Sequence, residues 1–183
     1  MGNFKEDVAR CEALILDVDG VMTDGGIMPL TNGDFNRTYN AKDGYAIAYS
    51  IQMGLKVCVI SGGRGENLRY RLEMLGIKHI YIDCMDKIAA INDFLSKESV
   101  APENAMYMGD DIPDLECMRL VGIPTAPADA VMEVIEAARY VSEYAGGRGC
   151  VRDVIEQIMR ARGQWAVHTN GVTSGNITKV ASR

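Results

Sequence analysis

The chain has 183 residues, 48% of them hydrophobic and 24% charged, and its formal net charge at pH 7 is −6. This length predicts one globular domain with a sizeable core, and the acidic balance disfavours a nucleic-acid binder, which needs basic patches to neutralise phosphates. No apolar stretch approaches the roughly 20 residues that span a bilayer, and five scattered cysteines favour the reducing cytoplasm over a disulfide framework.

Short apolar runs alternate with longer amphipathic runs along the chain. The apolar runs predict strands at 13–16, 56–60, 79–82, 105–108, 123–126 and 139–141, and the amphipathic runs predict helices at 44–53, 66–75, 87–97, 114–121, 130–138 and 151–162. The strands are apolar almost throughout, as expected where helices cover both faces of a parallel sheet. The alternation predicts an α/β fold with a doubly wound parallel sheet.

One segment departs from this alternation. Residues 26–39 carry two short strand-like runs around Asn32-Gly33, and Asn-Gly is a strong hairpin signal because both turn residues must accept positive φ. A β-hairpin inserted after the first strand is therefore predicted. The predicted domain spans residues 1–162, and residues 163–183, which are rich in small polar residues, are predicted to form a polar tail.

Acidic residues directly follow the first predicted strand. Asp17, Asp19 and Asp24 lie within eight positions, and like charges so close disfavour one another's ionisation unless a cation, a shared proton or water compensates. A second acidic run, GDDIPD at 109–114, follows the fourth strand. Because ligands of open parallel sheets bind beyond the carboxyl ends of the strands, we expect carboxylates from both segments to meet there. Oxygen ligands of this kind suit Mg²⁺.

Residues suited to binding a phosphate follow the second and third strands. Ser61 and Gly62 precede a predicted helix, whose N-terminal amides can hold phosphate oxygens, and Lys87 can offset negative charge. A carboxylate beside such a site can attack phosphorus to form an aspartyl-phosphate, and a second one can protonate the leaving group. Each element alone is a weak signal, but four of them in this order on four strand ends favour a phosphohydrolase.

The sequences DVDGVMTD, ISGG, DK and GDDIPD, in this order, resemble the four motifs of the haloacid dehalogenase superfamily of phosphohydrolases. The resemblance covers residues 13 to about 160. It implies that Asp17 is the nucleophile and Asp19 the general acid and base. It also implies that Ser61 and Lys87 bind the phosphate group.

The same resemblance implies an Mg²⁺ site. Its ligands would be carboxylates of Asp17 and Asp110 and the backbone carbonyl of Asp19. Asp111 and Asp114 match the remaining acidic positions of the fourth motif, where they are expected to support the metal shell or the lysine. A divalent cation would make the acidic cluster tolerable and would let a phosphate dianion approach it.

Two features narrow the resemblance to a subfamily. Only a short predicted hairpin follows the first motif, and about twenty residues separate the second and third, which leaves no room for a cap domain. Capless members of this kind are similar to the 3-deoxy-D-manno-octulosonate 8-phosphate (KDO 8-phosphate) phosphatases. This implies a phosphomonoester hydrolase for a keto-deoxy sugar acid phosphate, assembled as a homotetramer through its hairpins.

Two further segments are similar to that subfamily, YNAKDGYAI at 39–47 and AGGRGCVRDV at 145–154. The second implies that Arg148 contacts the substrate carboxylate or phosphate, in its own subunit or in a neighbouring one. The subfamily often has Arg where this chain has Gly63, so Arg64 is the candidate substrate-binding arginine there. Residues 83–84, Asp-Cys, likewise replace a Gln-Gly pair of the subfamily.

Both departures lie where the sugar is expected, so a phosphatase for a nine-carbon keto-deoxy sugar acid 9-phosphate is an alternative, although the run DGY at 43–45 favours the eight-carbon substrate. An alternative of another class is a non-catalytic module that binds a nucleotide or phosphate, since SGGRGEN at 61–67 is glycine-rich after a strand. That segment lacks the third glycine of GxGxxG, however. A phosphatase assay with and without Mg²⁺ distinguishes the two classes.

Overall fold

The structure, a computed structural model, describes residues 4–167. Within that range the elements, in chain order, are α1 (Phe4–Arg10), β1 (Ala13–Leu16), β2 (Met28–Pro29), β3 (Phe35–Asn36), α2 (Ala41–Gln52), β4 (Lys56–Ile60), α3 (Glu66–Met74), β5 (His79–Tyr81), α4 (Lys87–Glu98), β6 (Ala105–Met108), α5 (Leu115–Leu120), β7 (Ile123–Ala126), α6 (Met132–Ala137), β8 (Tyr140–Val141) and α7 (Cys150–Ala161). Short 3₁₀ turns at Pro102–Asn104 and Ile112–Asp114 precede β6 and α5.

Six strands form one parallel sheet in the order β5-β4-β1-β6-β7-β8. Strand β1 lies in the centre and pairs with β4 on one side and with β6 on the other. From β1 the chain moves outward to β4 and β5 and then crosses to β6 on the opposite side, so the strand order reverses between β1 and β6. Ligands of open α/β sheets bind beyond the carboxyl ends of the strands at such a reversal.

Helices cover both faces of this sheet, which confirms the predicted doubly wound α/β fold. Helices α1, α2, α3 and α7 pack with Leu14 and Leu16 of β1 on one face, and α4, α5 and α6 pack with Ala13 and Ile15 on the other. All four residues of β1 are fully buried. In the described range, α3 alone connects β4 to β5, so no cap domain is inserted there. None of the helices described is long and apolar enough to cross a membrane.

The largest differences from the predicted helices are the start of α2 and the presence of α1, and the other helix ends lie within two residues of the prediction. Helix α2 begins at Ala41 instead of Gly44, because Asn40 caps it and its side-chain oxygen accepts a backbone N–H of the first turn at 2.8 Å. Helix α1 is absent from the prediction, since seven residues are too few to show a helical period. Tertiary contact stabilises it instead: Phe4 stacks on Tyr140 with ring centroids 4.3 Å apart.

The chain leaves the sheet between β1 and α2 to form the β2–β3 segment, residues 26–39. Its two strands are two residues long and pair antiparallel. The backbone N–H of Leu30 donates to the carbonyl of Asp34 at 2.8 Å, and Gly33 takes a φ of +85°, which glycine adopts without steric strain. Ile27 and Met28 are 53% and 65% exposed. The segment therefore presents apolar side chains to its surroundings.

Contacts with the core continue past residue 162. Trp165 packs edge-on against Tyr49, with ring centroids 5.3 Å apart, and the Tyr49 hydroxyl donates to the carbonyl of Gln164. The predicted start of the polar tail at Gly163 therefore falls inside the packed structure, because one large aromatic side chain anchors a segment of otherwise polar composition. Residues 168–183 of the predicted tail lie outside the described residues.

Candidate active site

Asp17 lies at the carboxyl end of β1, at the point where the strand order reverses. Its backbone N–H donates to the carbonyl of Met108 in β6 at 3.1 Å, so the strand pairing extends up to this residue. The following loop folds back on itself: the N–H groups of residues 21–23 all point to the carbonyl of Val18, and the buried hydroxyl of Thr23 accepts the N–H of Gly25 at 3.2 Å. The loop is thereby held rigidly beside the end of β1.

Lys87, the first residue of α4, joins two carboxylates above the sheet. Its Nζ lies 3.0 Å from Asp17 Oδ1 and 2.8 Å from Asp114 Oδ1, and its side chain is 14% exposed. Burial alone would lower the pKa of Lys87, but the charges of Asp17 and Asp114 outweigh this effect and raise the pKa above its ordinary value. Lys87 is therefore a fixed positive charge beside Asp17.

The buried hydroxyl group of Tyr107 also belongs to this network. Tyr107 OH in β6 donates to Asp114 Oδ1 at 2.6 Å. Burial and the Asp114 charge raise the pKa of Tyr107 well above its ordinary value, so the hydroxyl remains a donor. The other oxygen of Asp114 accepts the backbone N–H groups of Asp110 at 3.0 Å and of Asp111 at 3.4 Å. Both oxygens of Asp114 are thus engaged, and they orient Lys87 and the loop after β6.

The Asp110 carboxylate takes no part in this hydrogen-bond network. Among residues 4–167, no hydrogen-bond donor reaches its side chain, which packs directly against Gly20: a Cβ at position 20 would lie 1.9 Å from Asp110 Oδ2. Burial, followed by the charges of Asp17 and Asp114, raises the pKa of Asp110 to about 7. Oxygen atoms of Asp17, Asp110 and Asp114 lie within 4.8 Å of one another. A half-buried carboxylate without donors beside two others fits a site for a divalent cation.

Asp19, the predicted general acid and base, lies on the loop two residues beyond Asp17. Its carboxylate points to the β2–β3 segment, where Arg37 Nε and Nη2 donate to its two oxygens at 2.6 and 3.0 Å. The third carboxylate of the acidic cluster is that of Asp114. Because both oxygens of Asp114 already accept protein donors, Asp17 and Asp110 are the carboxylates free to bind a metal ion.

Ser61 and Gly62 occupy the end of β4, beside β1. Ser61 is buried, and its Oγ accepts the N–H of Gly63 at 2.9 Å, which fixes the loop before α3. Gly62 and Lys87 line a cavity of about 540 Å³ together with Cys84, Met85, Asp86, Ile88, Pro113, Glu116 and Cys117. The structure therefore places an open space beside Lys87 and Gly62, although Asp17 and Asp110 do not line it.

Three predicted site residues lie away from this cluster within one chain. Arg64 is exposed in a separate depression that Asp83 also lines. Arg148 is 68% exposed at its side chain and pairs with Asp24 at 3.1 Å. Asp111 is exposed and accepts the N–H of the next residue at 2.8 Å, so it caps the 3₁₀ turn before α5. Asp24 likewise stays outside the acidic cluster.

Sequence reasoning missed two residues of the site. Tyr107 is the one hydroxyl in the buried run AMYM of β6, and a phenol in a strand buried on both faces needs an acceptor. That signal could have identified it. Arg37 is the single basic residue of the β2–β3 segment, but nothing in the sequence indicates that it reaches Asp19.

Known proteins share this sequence and this arrangement of strands. A family model of haloacid dehalogenase-like hydrolases matches residues 76–153. The chain is 41% identical over 151 residues to the KDO 8-phosphate phosphatase of Escherichia coli K12, which covers 82% of this chain and 80% of that protein.

Solved structures of phosphatases from other bacteria are similar to this chain in sequence and fold. The crystal structure of the KDO 8-phosphate phosphatase from Yersinia pestis is 38% identical with a TM-score of 0.85, covering 87% of this chain and 86% of that chain. The phosphatase from Moraxella catarrhalis, in complex with magnesium ion, phosphate ion and KDO, is 25% identical with a TM-score of 0.82, covering 97% and 95%. The chain therefore belongs to the haloacid dehalogenase superfamily of hydrolases, in the family of the KDO 8-phosphate phosphatases.

Proposed function

We propose that this protein is a Mg²⁺-dependent phosphatase that hydrolyses KDO 8-phosphate to KDO and inorganic phosphate. The observation that carries the proposal is the buried pair of Asp17 and Lys87 at the strand reversal, beside the carboxylate of Asp110 that lacks any donor among the described residues. The relatives that bear this name match most of the chain. A non-catalytic module that binds a nucleotide or phosphate does not require a nucleophilic carboxylate beside a metal site.

The Mg²⁺ site would use the carboxylates of Asp17 and Asp110 and the backbone carbonyl of Asp19. When bound, the ion would neutralise the two carboxylates and the charge of the phosphate group. Lys87 supplies a second fixed positive charge, which Asp114 and Tyr107 orient. Ser61 and the amides of the loop before α3 bind the remaining phosphate oxygens.

In the first chemical step, Asp17 attacks the phosphorus atom. A bond forms between its carboxylate oxygen and phosphorus, the bond from phosphorus to the sugar oxygen breaks, and that oxygen takes the bonding electron pair. Asp19 donates a proton to the sugar oxygen, so the sugar leaves as an alcohol. The products of this step are an aspartyl-phosphate and an Asp19 carboxylate.

Water completes the cycle. Asp19, now ionised, takes a proton from a water molecule, whose oxygen attacks the phosphorus of the aspartyl-phosphate. The bond from phosphorus to Asp17 breaks, the electron pair returns to the Asp17 carboxylate, and inorganic phosphate is released. The carboxyl group of Asp19 therefore acts as acid in the first step and as base in the second.

Asp43 of the run DGY has a structural role. It is buried, and it accepts the backbone N–H of Arg152 at 2.8 Å, so it caps α7 and does not by itself support a choice between eight-carbon and nine-carbon sugar acids. The eight-carbon assignment therefore rests on the relatives. Arg64 and Arg148 remain the candidate residues for the sugar or its carboxylate, Arg148 in its own subunit or a neighbour's.

We also propose that the protein is a homotetramer assembled through the β2–β3 segments. The exposed Ile27 and Met28 supply an apolar surface on a two-stranded unit that is marginal in water by itself. Met28→Glu should reduce the assembly to smaller species in sedimentation, while Met85→Glu, at a side chain 92% exposed elsewhere, should not. An unchanged oligomer of Met28→Glu, or a fully active wild-type monomer, would contradict this proposal.

The function is tested by phosphate release from KDO 8-phosphate and from a nine-carbon keto-deoxy sugar acid 9-phosphate, each with Mg²⁺ and with excess chelator. We expect the eight-carbon substrate to have the higher kcat/KM and the chelator to abolish turnover. A higher kcat/KM for the nine-carbon substrate would reassign the substrate. Full activity in chelator would exclude the metal, and no release from either substrate would contradict the phosphatase.

A further inference from the structure

Arg37 reaches from the β2–β3 segment into the active site of its own subunit. Its Nε lies 2.6 Å from Asp19 Oδ1 and its Nη2 lies 3.0 Å from Asp19 Oδ2. Two parallel N–H···O bonds of this kind fix both the position and the plane of a carboxyl group. The Asp19 side chain is 31% exposed, so without Arg37 it would be free to rotate in water.

The guanidinium group is built into the site and is not a surface contact. The Arg37 side chain is 3% exposed, its carbon Cζ lies 5.9 Å from the centroid of the Phe35 ring, and its Nη1 has no hydrogen-bond acceptor among the described residues. A buried arginine with one nitrogen unsatisfied is unfavourable for folding alone. Its placement is therefore better explained by the carboxyl group that it holds.

Gly63 supplies the space that Arg37 occupies. A Cβ at position 63 would lie 2.7 Å from Arg37 Nη2, 3.0 Å from Ser61 Oγ and 3.1 Å from Asp19 Oδ2. The guanidinium therefore fills the volume that a side chain at position 63 would require. The loop before α3, which carries Ser61, therefore lies against both Arg37 and the Asp19 carboxyl group at Gly63.

The β2–β3 segment is fastened to the same loop. Asp34 Oδ1 accepts the N–H of Phe35 at 2.7 Å, and its Oδ2 accepts the N–H of Asn67 in the first turn of α3 at 3.4 Å. A Cβ on Gly65 would lie 1.8 Å from Asp34 Oδ1, so the turn packs closely on the start of α3. The backbone that carries Arg37 is thus fixed relative to Ser61.

We propose that Arg37 is a positioning residue for the carboxyl group of Asp19 and that Gly63 is required to admit it. Nε on Oδ1 holds the group while Oδ2 carries the proton for the ester oxygen of the substrate, and Nη2 on Oδ2 holds it as well once Asp19 is ionised. This proposal rests on the proposed function. Asp19 gives its proton to the leaving oxygen as the phosphorus–oxygen bond breaks, and that transfer depends on the carboxyl lying within hydrogen-bond reach of this oxygen. The constant kcat/KM reports the steps up to departure of the leaving group, so Arg37 should affect it only where that group needs a proton. The later proton transfer from water is common to all substrates and affects kcat alone.

A change of leaving group tests this role. The sugar alcohol of KDO 8-phosphate needs a proton to depart, whereas the nitrophenolate of p-nitrophenyl phosphate departs without one. The constant kcat/KM is compared for both substrates in the wild type, Arg37→Met, Arg37→Lys and the matched surface control Arg69→Met, whose arginine is 49% exposed on α3. Circular dichroism and thermal melting establish that each variant is folded.

We expect Arg37→Met to lower kcat/KM about 30-fold for KDO 8-phosphate and less than about 3-fold for p-nitrophenyl phosphate, because general acid catalysis is lost only where it is needed. Arg37→Lys should recover part of the loss, and Arg69→Met should change neither constant. Equal losses on both substrates would show that Arg37 binds phosphate or supports the fold, and would overturn the proposal. A wild type that hydrolyses neither substrate would overturn the proposed function as well.

Gly63→Ala tests the proposal without a substitution at position 37. We expect it to lower kcat/KM for KDO 8-phosphate about 5-fold in the wild-type background, by displacing the guanidinium, and to add less than about 2-fold in the Arg37→Met background. Equal factors in both backgrounds would show that the new methyl group acts through Ser61, and would contradict the part assigned to Gly63.

Discussion

The acidic cluster and the β2–β3 segment both contribute side chains to the site, but they differ in how the fold holds those side chains. The cluster stands on the ends of buried parallel strands: Asp17 continues β1, and Asp110 and Asp114 follow β6. The β2–β3 segment has two strands of two residues each, with Ile27 and Met28 exposed, yet it delivers a buried arginine to Asp19. A carboxylate at a strand end is placed by the sheet and by side chains that the sheet orders, whereas one on the following loop needs a partner from a separate segment.

The difference separates the tasks of the two aspartates. Asp17 must stay in one place for attack on phosphorus, and the sheet and Lys87 hold it there. Asp19 must meet the leaving oxygen and later a water molecule, and it is held by a side chain that arrives on a separate excursion of the chain. Substitutions in the cluster should therefore affect every substrate, and those in the β2–β3 segment should affect substrates selectively.

The strongest disruption of the cluster is Asp17→Asn. The amide cannot form the covalent intermediate, so we expect kcat to fall by at least about 10³-fold with KDO 8-phosphate and with p-nitrophenyl phosphate alike. Steady-state phosphate release measures the effect, and thermal melting shows that the fold is intact. Retention of a tenth of the wild-type rate would contradict the assignment of the nucleophile.

Lys87→Met should have the next largest effect. It removes the charge shared by Asp17 and Asp114, and we expect kcat/KM to fall by about 10²-fold on both substrates. Lys97→Met is the matched control on the same helix, because Lys97 is 58% exposed and pairs with Asp93 at the surface. If both variants kept wild-type activity, Lys87 would have no role beyond packing.

Tyr107→Phe probes the support beneath the cluster. Removing its hydroxyl leaves Asp114 Oδ1 with Lys87 alone, and we expect about 1 kcal/mol less stability and about a 5-fold lower kcat. Tyr81→Phe removes a hydrogen bond to Asp93, in the middle of α4 and outside the acidic cluster, and should leave kcat unchanged. Equal kcat values for the two variants would show that the Tyr107 hydroxyl does not contribute to catalysis.

The smallest predicted effect is on the stability of the metal-free protein. Burial raises the pKa of Asp17 and raises that of Asp110 to about 7, so the folded state binds more protons than the unfolded state between about pH 4 and 7. The free energy of unfolding should therefore fall as the pH rises through this window, by on the order of 1 kcal/mol per pH unit or less where water screens the carboxylates.

Calorimetry on the metal-free protein from pH 5 to 7.5 measures this slope. Mg²⁺ should flatten or reverse it, because the cation favours the ionised carboxylates, and Asp110→Asn should flatten it without metal. A metal-free Tm that rises with pH across this range would contradict the predicted repulsion within the cluster.

The strand pattern predicted most of the sheet, because buried parallel strands are nearly all apolar and because their order fixes which loops meet. β1, β4, β6 and β7 have the predicted bounds. Arg37 could not be predicted, because its contact with Asp19 joins two irregular segments that no periodicity relates. The sequence leaves open whether Asp114 supports the metal shell or the lysine, since only the structure shows that its oxygens accept Lys87 and the Asp110 amide.

The central position of β1 has a consequence for synthesis of the chain. This strand is complete at residue 16, but its neighbours β4 and β6 end only at residues 60 and 108. On the ribosome, four residues that end up fully buried must wait without partners until most of the polypeptide has emerged. Exposed apolar strands of this kind aggregate readily. The strand that leads into the nucleophile is thus a hazard to the nascent protein, and its refolding yield should fall as protein concentration rises.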